Sequence, residues 1–169
     1  RLLVSYNGEK ILIQTFAPGK SVKTLTDKQT TDLARNVAIM NNLLIQLTKT
    51  HKYKVPVQKN LMSLNHVKYN LEGVNISKLG KTLQNQIKKL NKKRFTYSII
   101  HRDIRGDNIV VNKDKVTSIV DWDDIREYYI SYDLGVIIGS FFAQPRDLRI
   151  KQIKIFLKEY QKHYRFSDE

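Results

Sequence analysis

Hydrophobic and polar positions divide the chain into recognisable elements. Two runs, Arg1 to Tyr6 and Lys10 to Phe16, flank Asn7-Gly8, a pair that tolerates the positive φ of a tight turn, so a β-hairpin is predicted. Ala17-Pro18-Gly19 breaks the second strand. Thr26-x-x-Gln29 has the form of a capping box, and Leu33, Val37, Met40, Leu44 and Leu47 follow at spacings of four and three, which predicts a long helix with one buried stripe. His51 beyond it reads as a surface or capping histidine, and residues 52 to 74 are weakly patterned around the breakers Pro56 and Gly73. A further helix is expected after Asn75 as cap, with Ile76, Leu79, Leu83, Ile87 and Leu90 on its apolar face. Ser131 to Phe142 reads as a largely buried helix. Pro145 suits the first turn of a final one, with Ile153, Phe156, Leu157, Tyr160 and Tyr164 on one face and lysines on the other.

Between these helices lies the segment with the most chemistry. Ile99 and Ile100 can anchor it in a core, and the polar run His101-Arg102-Asp103-Ile104-Arg105-Gly106-Asp107-Asn108 then forms a loop. Ile109 to Val111 and Val116 to Val120 are predicted strands around the polar turn Asn112 to Lys115. Antiparallel pairing brings Asn108, before the first strand, and Asp121, after the second, to the same end of this hairpin. Two oxygen-bearing side chains there make a metal site for magnesium, with Asp103 beside it to accept a proton from a hydroxyl. Those are the requirements of phosphoryl transfer from ATP. An isolated Asp or Asn in a loop is more often a turn former or a cap; the combination carries the functional reading.

The loop resembles the H-x-D-x-x-x-x-N catalytic loop of the protein-kinase-like superfamily. Ile119-Val120-Asp121-Trp122 is similar to the metal-binding element of its small-molecule branch, the aminoglycoside phosphotransferase, choline kinase and homoserine kinase relatives, and Tyr132-Asp133-Leu134-Gly135 resembles that branch's Y-D-L-A. The resemblance covers residues 97 to 142 specifically and 10 to 50 loosely. Asp121 and Asp133 are twelve positions apart with no Ala-Pro-Glu after them, too short for the activation segment of a protein kinase, so a small-molecule substrate is implied.

The resemblance implies roles residue by residue. Asp103 is the base, Asn108 and Asp121 hold Mg2+, and Asp133 braces the loop from a buried helix. His101 is a structural, hydrogen-bonded member of the loop. Arg105 either holds the transferred phosphate or faces solvent. The strand end before Pro18-Gly19 corresponds to the hinge between two lobes, making the Thr15 carbonyl and Ala17 amide candidates for the adenine ring; an ordinary strand end is the equal alternative. Asp123 and Asp124 could add a second carboxylate near the metal, although neither has a motif-defined role.

Composition bounds this picture. With 169 residues and 41% hydrophobic content the chain can build one sizeable core. No apolar run is long enough to cross a bilayer, so no membrane role is expected; residues from Arg1 onward show no basic-then-apolar leader pattern, and an opening on Arg1 rather than Met leaves a leader upstream open. Absence of cysteine excludes disulfides and thiolate metal sites and is compatible with the cytoplasm, the expected compartment. A net charge of +14 raises nucleic-acid binding, but lysine is spread throughout, and the dense cluster Lys88, Lys89, Lys92, Lys93 and Arg94 falls near a predicted helix C-terminus, where positive charge suits the dipole.

The expected fold is α+β: a mainly helical, protein-kinase-like C-lobe with a catalytic β-hairpin over residues 20–169, preceded over residues 1–19 by the hairpin and hinge of an N-lobe remnant. A Gly-rich phosphate loop and a strand Lys paired with a helix Glu are missing from the sequence, and the chain opens on Arg1, so an upstream lobe on the order of 100 residues is expected. The expected activity is ATP-dependent phosphorylation of a small-molecule alcohol. A catalytically inactive kinase-fold remnant acting as a binding module is the alternative, and a basic nucleic-acid-binding protein a third. Lys151, Lys154, Lys158 and Lys162 argue against a polycationic substrate if their face lines the pocket. Trp122, Tyr128, Tyr129 and Tyr132 could supply an aromatic cage for choline or simply pack, and a homoserine-like amino alcohol stays open. No pattern in the chain sets its oligomeric state.

Overall fold

A computed structural model describes residues 2–13, 15–50, 56, 57, 70, 71, 74, 75, 81, 82, 85, 86, 89, 95–144 and 147–164. The chain opens with strands β1 (Leu2–Tyr6) and β2 (Glu9–Ile13), paired with Tyr6 opposite Glu9, so that Asn7 and Gly8 alone make the turn. Their φ values of 49° and 82° are the left-handed pair that a two-residue hairpin turn requires.

Helix α1 (Asp27–Thr50) is the spine of the molecule. Its start is a reciprocal cap: Thr26 N–H donates to Gln29 Oε1 at 3.0 Å and Gln29 N–H to Thr26 Oγ1 at 3.2 Å. Leu33, Val37 and Leu44 of the expected stripe are buried together with Ala34, Ala38 and Asn41, while Met40 and Leu47 are half-buried. Burial of such side chains contributes roughly 1.5–3 kcal/mol each for the larger ones.

Three polar side chains on α1 fasten the other elements to it. Asp32 accepts from the Val116 N–H at 2.9 Å and pairs with Lys115 at 3.1 Å, fixing strand β8 (Lys115–Ile119). Thr48 Oγ1 accepts from the Ile99 N–H at 3.0 Å, fixing strand β6 (Tyr97–Ile100). Asn41 donates to the Tyr160 hydroxyl at 2.9 Å on helix α3 (Ile150–His163). Phe142, Phe156, Tyr160 and Tyr164 continue the core as a row of rings with centroids 6.0, 6.0 and 5.1 Å apart.

Strand β7 (Ile109–Asn112) pairs with β8 around Lys113-Asp114, and the two-residue strand β3 (Lys20–Ser21) adds to the free side of β7. Gly19, at φ 137°, permits this approach, since a Cβ there would collide with the Val111 carbonyl. Strand β6 pairs antiparallel with β9 (Arg126–Tyr129). Strands β4 (Asn70–Leu71) and β5 (Val74–Asn75) form a separate short pair.

One expectation changes, and two fall wholly or partly outside the described residues. Ser131 to Phe142 is not one regular helix: α2 (Ser131–Ile137) widens into a π turn over Ile138–Phe142. Phe141 and Phe142 in that turn are each 1% exposed and both belong to the core. Pro145 lies outside the described residues; the last helix begins at Ile150, after the short paired strands β10 (Ala143–Gln144) and β11 (Asp147–Leu148). Asn75 ends β5, and Ile76, Leu79, Leu83, Ile87 and Leu90 of the expected middle helix lie outside the described residues, although 81, 82, 85, 86 and 89 are helical. His51 and, apart from Lys89, the lysine cluster at 88–94 also lie outside them.

Candidate active site

Strand pairing alone forces two loops together. Ile100 at the end of β6 faces Arg126 at the start of β9, and Ile109 at the start of β7 faces Ile119 at the end of β8. Residues 101–108 and 120–125 therefore leave one strand pair and arrive at the other side by side. Three contacts stitch them: His101 Nε2–H to the Val120 carbonyl at 3.0 Å, Val120 N–H to the Asn108 carbonyl at 2.9 Å, and Arg102 Nη1 to Asp124 Oδ2 at 2.8 Å.

The first loop holds a conformation that its sequence would not choose. Arg102 sits at φ 73°, a left-handed geometry that costs a non-glycine residue on the order of 1–2 kcal/mol. Asp133, buried on α2, compensates by accepting the His101 N–H on Oδ2 at 3.0 Å and the Arg102 N–H on Oδ1 at 2.7 Å. Burial pushes the Asp133 carboxyl above its ordinary value, and those two N–H donors pull partly against it. Ile104, fully buried in the middle of an otherwise polar loop, pins it to the core. Gly106 touches the segment after β3: Val22 N–H donates to its carbonyl at 3.3 Å, and a Cβ there would collide with the Val22 carbonyl.

His101 is fully buried, its ring tilted against Trp122 with centroids 4.6 Å apart. Its Nε2 faces a carbonyl and its Nδ1 faces the Asp103 N–H at 3.4 Å, partners that select the neutral, Nε2-protonated tautomer. Trp122 donates its indole N–H to the Ile119 carbonyl at 2.9 Å. Tyr97, Tyr128, Tyr129 and Tyr132 pack edge-on against one another, with centroids 5.0–5.7 Å apart.

At the centre, Asn108 donates its amide to Asp103 twice, to Oδ2 at 2.8 Å and to the main-chain carbonyl at 2.9 Å. Arg105 Nε lies 3.1 Å from the same Oδ2. Asp103 Oδ1 has no bond among the described residues, and the side chain is about one-third exposed, at 34%. With its NH2 committed to Asp103, the Asn108 amide keeps its oxygen for another partner. Asp121, at φ 64° and exposed, follows directly on Val120, whose N–H is bonded to Asn108. One amide oxygen and one carboxylate suit magnesium, which takes few protein oxygens and completes its shell with water and phosphate. Among the described residues no cluster of three or more His, Cys, Asp or Glu competes as a metal site.

Thr15 is exposed and Ala17 half-buried on the segment joining β2 to β3. The next residue ties this segment to the β7–β8 hairpin, because Thr117 Oγ1 donates to the Pro18 carbonyl at 2.8 Å. Ile104 and Gly106 were not singled out by the sequence, and Asp124 was considered only as a second carboxylate near the metal, not as a partner of Arg102 and Arg126. An apolar residue and a glycine inside a charged loop were the available signals for the first two, while partners of Asp124 two positions downstream and 22 upstream left none.

This arrangement of loops, brace and hairpin defines a protein-kinase-like fold of the kind that small-molecule phosphotransferases share. Residues 2–169 match the sequence profile of the phosphotransferase enzyme family, and the chain belongs to that family. It is similar to an amicoumacin kinase solved with AMP-PNP, Ca2+ and amicoumacin, at TM-score 0.63 and 18% identity over 90% of this chain and 49% of that one. It also resembles a type VIII aminoglycoside-3'-phosphotransferase (TM-score 0.56, 17% identity, 99% of this chain and 67% of that one). A spectinomycin phosphotransferase solved with ADP and spectinomycin matches at TM-score 0.55 and 19% identity, over 95% of this chain and 55% of that one. At these identities the likeness is one of fold, and the chain spans about half to two-thirds of the length of these structures. No curated protein matches it.

Proposed function

We propose that the chain carries the catalytic centre of an ATP-dependent phosphotransferase acting on a hydroxyl of a small molecule. The observation that supports this most is the state of Asp103: Oδ2 is engaged by Asn108 and Arg105, Oδ1 has no bond among the described residues, and Asn108 is bonded to Val120, the residue before Asp121, at the hairpin end. An acceptor hydroxyl at Oδ1 gives its proton to the carboxylate as its oxygen bonds to the γ-phosphorus. The bond from that phosphorus to the ADP oxygen breaks, and its electron pair leaves on ADP. Asn108 and Asp121 are the residues that would hold magnesium, which when bound neutralises phosphate charge. Arg105 is placed to exchange the Asp103 carboxylate for the transferred phosphate, a second anion within reach of a flexible side chain. His101 and Asp133 position the loop, and the Thr15 carbonyl and Ala17 amide are the proposed adenine contacts.

The proposed acceptor is an alcohol or amino alcohol. Two lysines of the last helix are already neutralised, Lys151 by Asp27 at 2.5 Å and Lys162 by Glu159 at 2.6 Å, and Lys154 and Lys158 are exposed. No helix among the described residues is long and apolar enough to cross a membrane, and we place the activity in the cytoplasm, where ATP is supplied.

The test incubates the protein with γ-labelled ATP, magnesium and a panel of alcohols. Transfer of label to one of them, reduced about 10²-fold or more in Asp103→Asn at unchanged melting temperature, is the expected result. Undiminished transfer by that variant would remove Asp103 from the role of base.

A further inference from the structure

We propose that Asp124 is a positioning residue for the metal site, a reading that rests on the assignment of Asn108 and Asp121 above. Its two oxygens are divided between two guanidinium groups, Oδ2 to Arg102 Nη1 at 2.8 Å and Oδ1 to Arg126 Nη2 at 2.6 Å. Both arginines are well covered, with side chains 19% and 27% exposed, while the Asp124 side chain between them is 51% exposed, so solvent screens each pair in part and the two act together. Arg102 lies between His101 and Asp103 in the first loop, and its backbone N–H is held by Asp133. Arg126 starts β9 opposite Ile100 and also donates Nη1 to the Ile125 carbonyl at 2.8 Å.

The contacts close a ring. From Ile100 the chain runs to Arg102, crosses to Asp124, continues to Arg126 and returns to Ile100 through the strand pairing. Asp121 therefore lies on a loop pinned at both ends, by the Val120 bond to Asn108 on one side and by Asp124 on the other. Among the described residues no other carboxylate pairs with Arg102 or Arg126. Removing the Asp124 charge turns two attractions into one repulsion between neighbouring cations and frees the Asp121 end of the loop.

The test follows Mn2+ as a paramagnetic probe by its broadening of the Asn108 and Asp121 amide resonances, in the wild-type chain, Asp124→Asn, Asp124→Glu and Asp123→Asn. The expected result is that Asp124→Asn needs roughly fivefold to tenfold more Mn2+ for half-maximal broadening. Asp124→Glu should recover most of that loss. Asp123→Asn, which removes the same charge one residue earlier, should shift it much less. Equal shifts in Asp123→Asn and Asp124→Asn would reduce the effect to general electrostatics and overturn the positioning role. Absence of broadening in the wild-type chain would instead overturn the metal assignment. Amide exchange at Val120, measured without metal, then decides the clamp: faster exchange in Asp124→Asn supports it, and unchanged exchange overturns it.

Discussion

Two of the buried carboxylates, Asp133 and Glu159, have opposite surroundings. Asp133, under the loop of residues 101–108, accepts two backbone N–H groups, and burial raises its carboxyl above the ordinary value. Glu159, between α1 and α3, pairs with Lys162 at 2.6 Å, His163 at 3.1 Å and Arg35 at 3.1 Å. The hydrogen bond from Lys162 leads a set of cationic contacts that lowers it from 4.5 to about 2, against the opposing effect of burial. Glu159 is thus favourable to folding as an anion. Asp133 is held in place at a cost, and what it secures is the left-handed turn at Arg102 that aims Asp103. The comparison separates a helix interface organised for stability from a loop organised for geometry, the usual division between scaffold and site.

Breaking the loop side should have the larger effect. Asp133→Ala strands the His101 and Arg102 N–H groups in the interior, each worth about 1–3 kcal/mol when unsatisfied, so a loss of several kcal/mol is expected in denaturant unfolding. A loss below about 1 kcal/mol would mean that the loop does not depend on its brace. Gly106→Ala sharpens the point without touching charge. Its Cβ meets backbone at Val22, which cannot swing aside as a side chain can, and a cost of about 1–3 kcal/mol is expected on the same measurement.

The smallest effect belongs to Glu159, and it depends on pH. Because its folded carboxyl is lowered to about 2, its contribution is present above the ordinary value of 4.5 and is lost as pH falls from there towards 2. Asp133 acts in the opposite sense: the folded state takes up its proton first, so its ionisation opposes folding as pH rises above its ordinary value. Melting temperature followed from pH 6 to pH 2 should therefore fall less steeply in Glu159→Gln than in the wild type. Parallel curves would show that Lys162, Arg35 and His163 do not discriminate the charge on Glu159.

Local elements were legible because their causes are local. Asn7-Gly8 specifies its turn, Thr26 and Gln29 cap one another within a single helical turn, and the stripe from Leu33 to Leu44 depends on helical period alone. The β7–β8 hairpin follows from two apolar runs and a polar turn, and it brings residues 108 and 121 to one end whatever else the chain does. What the sequence concealed is held by partners far along the chain. Asp32 on α1 binds β8, Glu159 in a lysine-rich helix meets Arg35, and β3 finds β7 only because Gly19 admits a carbonyl. Arg105 shows the same limit: the loop motif placed it near phosphate or in solvent, and in the structure its guanidinium rests on the Asp103 carboxylate.

The central claim is that two loops of unrelated local sequence build one magnesium-dependent phosphoryl-transfer site. A crystal structure with magnesium and a non-hydrolysable ATP analogue tests it most directly. The Asn108 amide oxygen and one Asp121 carboxylate oxygen should each lie about 2.1 Å from a common ion that also touches the phosphates, with Asp103 Oδ1 facing the γ-phosphate. A bound nucleotide with Asn108 and Asp121 directed to opposite faces of the hairpin would contradict it.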